Sequence, residues 1–233
     1  MLTGPHNLGS HLRDIRARIE QAAVQAGRDP AGVTLVAVSK TQPAESVREA
    51  ATLGVTEFAE NYVREAADKI EVLRDLPLNW HFIGAIQANK TRAIAGHFAW
   101  VHSVDRLSAA RRLSEQRPFH APALNLCIQV ALVPEPHKSG APPADLTELA
   151  DAIGALPRLK LRGLMCLPPA TPEIGAQRAV FARLRQLLEG LNARGLALDT
   201  LSMGMSGDFE AAIAEGATHV RIGTALFGPR QQP

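Results

Sequence analysis

Apolar residues recur at helical spacing near the start of the chain. Leu8, Leu12, Ile15 and Ile19 fall on one face, which predicts an amphipathic helix from about residue 6 to residue 27. Gly27 and Pro30 stop it. The pattern then changes to a β-branched run over residues 34–40, read as a strand with Lys40 at its end. Val47, Ala50 and Ala51, followed by Gly54, read as a helix with its C-terminal glycine. Further strand-like runs cover residues 55–59, 80–83, 100–104, 125–132, 160–166, 200–203 and 219–222. Helical patterns lie between them. One carries Leu146, Leu149, Ile153 and Leu156; another carries Val180, Phe181, Leu184, Leu187, Leu188 and Leu191. A shorter one carries Phe209 and Ile213 and ends at Gly216.

Strands that alternate with helices predict an α/β protein with a parallel sheet and crossover helices. Eight such units in 233 residues predict a single (β/α)8 TIM barrel spanning residues 1–233, with the first helix as an addition. An open doubly wound sheet is the alternative. No strand runs into a Gly-x-Gly-x-x-Gly turn, so no dinucleotide site is signalled. The proline-rich stretches at 134–143 and 168–172 follow the fifth and sixth strands, and are expected as loops at the barrel mouth. Lys138, Ser139 and Gly140 would form a flap or a plain irregular loop there.

The formal net charge of +2 marks no basic stripe, which argues against nucleic-acid binding. Arg106, Arg111, Arg112 and Arg117 spread around a helix and read as a solvated face. Cys127 and Cys166 lie in strands and read as small buried apolar residues rather than a disulfide. No apolar stretch suits a signal peptide or a membrane span, so a soluble cytoplasmic protein is expected.

The chemistry is expected at the C-terminal ends of the strands. A lysine there sits beside low-dielectric walls, which lower its pKa and free the amine to attack a carbonyl. The last two strands run into Ser206-Gly207 and Gly223-Thr224, turns that let backbone N–H groups approach a phosphate. The first and eighth strands are neighbours in a closed barrel, so amine and phosphate cradle would share one pocket. A phosphorylated aldehyde suits that geometry, with pyridoxal 5'-phosphate (PLP) the foremost candidate. Arg221, two residues before Gly223, would then face the pyridine nitrogen or pair with phosphate or a carboxylate. His81 reads as a satisfied core histidine. His97 and His102 lack partners at metal-ligand spacing, so no metal site is expected. Gln87, Asn89 and Lys90 would cap a helix or line the mouth. Asp208 and Glu210 would complement the next helix N-terminus.

Several stretches together carry a family resemblance. They are Leu35-Val36-Ala37-Val38-Ser39-Lys40-Thr41, Glu60-Asn61-Tyr62, Trp80-His81-Phe82-Ile83-Gly84, Gln87-Ala88-Asn89-Lys90, Lys138-Ser139-Gly140, Arg162-Gly163-Leu164-Met165, Met203-Gly204-Met205-Ser206 and Val220-Arg221-Ile222-Gly223-Thr224. In order and over nearly the whole chain, they resemble the YggS/PROSC family of PLP homeostasis proteins. The resemblance implies the barrel of the alanine racemase N-terminal domain, with PLP held as a Schiff base on Lys40. It also implies that Ser206, Gly207, Gly223 and Thr224 bind the phosphate, that Arg221 faces the ring nitrogen, and that Asn61 lies near the cofactor. The chain departs from the family at Ala59, Gln42 and Ala85, where glycine, lysine and proline are common. Gln42 puts in doubt a second lysine that relays cofactor.

A racemase of this kind needs a second base, a tyrosine from a separate C-terminal domain. The one tyrosine here is Tyr62, and the chain ends just past the eighth strand. The expectation is a monomeric, non-catalytic PLP binder acting in cofactor homeostasis and amino-acid/keto-acid balance, with PLP-dependent apo-enzymes as partners. The alternatives are a weak racemase-like enzyme, a Schiff-base aldolase that uses Lys40 without a cofactor, and a barrel that serves only as a scaffold.

Overall fold

The computed structural model describes residues 7–133 and 139–228. Eight parallel strands close into a barrel in chain order. They are β1 (Thr34–Val38), β2 (Glu57–Glu60), β3 (Asn79–Phe82), β4 (Trp100–Val104), β5 (Leu124–Gln129), β6 (Leu159–Met165), β7 (Thr200–Ser202) and β8 (His219–Ile222). Closure is made by β1 on β8, with Val36 opposite Arg221 and Ala37 opposite Ile222. All eight expected strands are present, each near its expected place, and the open sheet is excluded.

The helices are α1 (Leu8–Gln25), α2 (Ala44–Thr52), α3 (Val63–Val72), α4 (Thr91–His97), α5 (Leu107–Gln116), α6 (Leu146–Gly154), α7 (Ile174–Ala193), α8 (Phe209–Ala214) and α9 (Thr224–Phe227). α1 starts where the Asn7 side chain accepts the Ser10 N–H, an N-cap. It ends two residues before Gly27, which takes φ 66°. Its buried face, Leu8, Leu12, Ile15 and Ile19, is the periodic one, and it lies against α8 and α9. The extra helix therefore covers the C-terminal part of the barrel wall.

One surface expectation is corrected. Arg106, Arg111 and Arg112 are exposed, but Arg117 is buried. Its guanidinium donates to the carbonyls of Ala95, Phe98 and Pro122 at 2.6, 2.7 and 2.9 Å. It satisfies carbonyls at the end of α4 and in the loop before β5, which spacing along α5 does not reveal. Lys138 lies outside the described residues.

Both cysteines are free and buried. Burial pushes the Cys127 and Cys166 thiols up to about 12, so the thiolate needed for reaction is scarce. Neither is expected to react with a thiol reagent at mildly alkaline pH until the protein is unfolded. A colorimetric thiol titration with and without denaturant checks this, and a fast-reacting thiol in the folded protein would contradict it. No described helix is long and apolar enough to cross a membrane.

Candidate functional site

β1 ends at Val38, so Lys40 stands two residues past the strand, in a turn. Strand propensity carries the sequence reading too far here, because the next residue, Thr41, takes φ 65°. A β-branched residue in the left-handed region persists only where its surroundings hold it. They hold it from both sides. The Thr41 N–H donates to Glu65 Oε1 at 2.5 Å. Lys69 Nζ donates to the Ser39 carbonyl at 2.6 Å and to Glu60 Oε1 and Glu65 Oε1 at 2.7 Å each. Ser39 Oγ donates to Glu60 Oε1 at 2.7 Å. Two residues of α3 thus clamp the backbone immediately before and after Lys40. Burial pushes the Glu60 carboxyl up, against the opposing pull of Lys69 and Ser39.

Lys40 opens into a cavity of about 300 Å³. Asn61, Ser206, Gly207, Arg221, Gly223 and Thr224 line the same space. All seven residues singled out from the sequence therefore converge. Val38, Ile83, Leu167 and Met205 add apolar wall. Strand alternation signals Val38 and Ile83, whereas nothing local signals Leu167. Gln87, Asn89 and Lys90 are exposed on a short turn outside this lining. Tyr62 also lies outside it, 59% exposed at the start of α3. Among the described residues no cluster of metal-ligating side chains occurs.

Close backbone approaches build the loops. A Cβ on Gly84 would lie 2.1 Å from the Asn61 carbonyl oxygen, so only glycine lets the loop after β3 support Asn61. The Asn61 Oδ1 is buried without a partner. After β7, Gly204 turns at φ 92°, and a Cβ there would lie 2.7 Å from the Ala212 Cβ and 3.0 Å from the Phe209 Cα of α8. Asp208 does not cap α8 with its side chain; its Oδ1 accepts the Met205 N–H at 2.6 Å. Glu210 stands in the first turn of α8, as expected, and also accepts from Arg18 Nε at 2.7 Å. The Ala225 N–H donates to Ser206 Oγ at 3.3 Å and so joins the loops after β7 and β8. Arg221 is buried, donating from Nη1 to Ser202 Oγ at 2.7 Å and from Nη2 to the Cys166 carbonyl at 2.9 Å. Burial lowers its pKa, yet a guanidinium stays charged.

A family model described as "Alanine racemase, N-terminal domain" matches residues 10–231. The "Pyridoxal phosphate homeostasis protein" of Pseudomonas aeruginosa is 61% identical over 223 residues, covering 96% of each chain. The chain belongs to the pyridoxal phosphate homeostasis protein family. Its Escherichia coli K12 relative is 48% identical over 228 residues and covers 97% of each chain. Among solved structures similar to this member of the PLP homeostasis family is PipY of Synechococcus elongatus "with PLP bound". It has 41% identity and a TM-score of 0.81, and the match covers 91% of this chain and all of that one. Alanine racemase of Corynebacterium glutamicum shares the fold at 18% identity and a TM-score of 0.68, over 94% of this chain and 61% of that one.

Proposed function

We propose that this protein binds PLP, holds it covalently as a Schiff base on Lys40, and acts as one cofactor-holding barrel in PLP homeostasis and amino-acid/keto-acid balance. The observation that carries the reading is the convergence of Lys40, the Ser206-Gly207 and Gly223-Thr224 loops, and Arg221 on one cavity. The residues fit the group. Ser206 and Thr224 offer hydroxyls and the glycines offer unshielded backbone to a phosphate. Asn61 Oδ1 is a buried acceptor without a protein partner. Bound there, the cofactor supplies an aldehyde carbon and a pyridine ring able to delocalise electrons. The relative that binds PLP in its solved structure supports the same assignment.

Holding is favoured over turnover. Among the described residues lining the cavity, Lys40 and Arg221 are the ionisable ones. An arginine at the ring nitrogen does not give up its proton readily, and so leaves the ring a weak electron sink. Relatives named as homeostasis proteins point the same way. PLP-dependent apo-enzymes are the partners this role implies, and the protein acts as a monomer.

Titration of the purified protein with PLP is expected to give a visible absorption band. Borohydride should fix the cofactor, and peptide mapping should place it on Lys40. Lys40→Ala should show neither band nor label. A label on another lysine would overturn the anchor. Robust amino-acid turnover that disappears in Lys40→Ala would overturn the non-catalytic part.

A further inference from the structure

TIM barrels usually fill their interior with branched apolar side chains. This one places His81, His102, Ser202 and Arg221 there, all buried. They form an unbroken series. Arg221 Nη1 donates to Ser202 Oγ at 2.7 Å, and Ser202 Oγ lies 2.7 Å from His102 Nδ1. His102 Nε2 lies 2.8 Å from His81 Nδ1, and His81 Nε2 lies 2.7 Å from Glu57 Oε2. One end is the guanidinium in the cavity with Lys40. The other is a carboxylate at the first residue of β2, at the opposite end of the barrel.

The two ends dictate the direction of every bond between them. A guanidinium can only donate, and a carboxylate can only accept. Burial works against the Glu57 charge, but hydrogen bonds from His81, Asn79 and Thr56 outweigh it and hold the carboxyl below its ordinary value. Glu57 therefore requires a proton on His81 Nε2. A neutral His81 then accepts at Nδ1, so His102 donates from Nε2. His102 Nδ1 in turn accepts the Ser202 O–H, which leaves a Ser202 lone pair for Arg221. Each link has one donor and one acceptor.

The competing arrangement puts a second proton on His81 and reverses His102. Ser202 would then accept from both neighbours, and its own proton would have no acceptor among its hydrogen-bond partners. Burial also holds both imidazoles below their ordinary pKa. His219 and Trp100 pack beside the two rings, and His219 is itself pushed down to about 4 by burial. Arg162 sits 4.8 Å over the Trp100 ring and pairs with Asp199. The groups around His81 thus offer one anion, Glu57, in direct contact.

We propose that Glu57, His81, His102 and Ser202 form a one-way hydrogen-bond column through the barrel that fixes the Arg221 guanidinium at the cavity. Ser202 and His102 are then positioning residues, acting on bound cofactor through Arg221. The column itself stands on this chain's geometry alone. Its effect on the cofactor rests on the PLP reading.

Nitrogen-15 NMR of histidine- and arginine-labelled protein without added cofactor tests the column. His81 and His102 should both be neutral with the proton on Nε2 at neutral pH. The Arg221 guanidinium N–H signals should be protected from exchange. Ser202→Ala should lose that protection while unfolding remains cooperative, whereas Glu57→Gln, which keeps an acceptor oxygen for His81, should retain it. A charged His81, a proton on Nδ1 of either ring, or an unchanged Arg221 in Ser202→Ala would each overturn the proposal. With PLP added, Ser202→Ala should bind roughly tenfold more weakly, the scale of one charge-assisted hydrogen bond. It should also shift the pH midpoint of the visible band. Equal affinity and midpoint in variant and wild type would sink the positioning role. A wild type that binds no PLP would sink the cofactor reading and leave the NMR result to decide the column.

Discussion

Lys69→Ala is expected to lower folding stability by about 3–5 kcal/mol at neutral pH, because removing one partner strands a buried charge. The ammonium is 8% exposed and the Glu60 side chain 0%. In the variant, the Ser39 hydroxyl alone opposes the burial of Glu60, so the carboxyl takes up a proton more readily than in wild type. Its folded pKa then lies further above the unfolded value. Such a group contributes stability that is fully present below the unfolded pKa and is lost as pH rises through the folded one. The deficit of the variant should therefore shrink on acidification from about pH 7 to about pH 5. Urea unfolding of both proteins at the two pH values measures it. A deficit below about 1 kcal/mol that ignores pH would show the pair to be solvated like a surface ion pair. The variant also frees the Ser39 carbonyl and loosens Glu65, so the turn carrying Lys40 loses a support on each side.

Gly163→Ala is expected to cost on the order of 3 kcal/mol or more, or to prevent recovery of folded protein. Gly163 pairs with Thr200 across β6 and β7, and an added Cβ would lie 1.8 Å from the Thr200 carbonyl oxygen. The oxygen is backbone and a Cβ is fixed by its own backbone, so no rotamer change relieves the clash. Gly175→Ala is the control, since a Cβ there meets nothing within 4 Å. Thermal melts of the two variants side by side decide the matter. Equal midpoints would mean that β6 and β7 separate freely.

The barrel is readable from sequence because its strands are short β-branched or apolar runs that glycine and proline punctuate. The seven pocket residues are readable because they follow strands one, two, seven and eight or, for Arg221, lie near the end of strand eight, where barrels put their chemistry. The end of β1 is not. Left-handed turns usually advertise themselves with glycine or asparagine, and here Thr41 is held in that conformation by a partner 24 positions away. Lys69 is hidden for a related reason. On an amphipathic helix it reads as one more solvated lysine, and only the folded position of α3 turns it inward against Glu60. The column below Arg221 is hidden more deeply. His81, His102 and Ser202 each occupy a different strand, and their meeting depends on the stagger around the closed barrel, which no single strand encodes.

The β1–β8 seam also sets an order of events during synthesis. Lys40 leaves the ribosome early, whereas Gly223 and Thr224 follow β8, the last strand of the barrel. Until β8 pairs with Thr34–Ala37, Lys40 has no Gly223-Thr224 loop beside it and α1 has no α9 to rest on. A nascent chain on the ribosome thus carries Lys40 without the Gly223-Thr224 loop that lines its cavity in the closed barrel. The cavity takes shape only when the first and last strands of the ring meet, so an open ring lacks it.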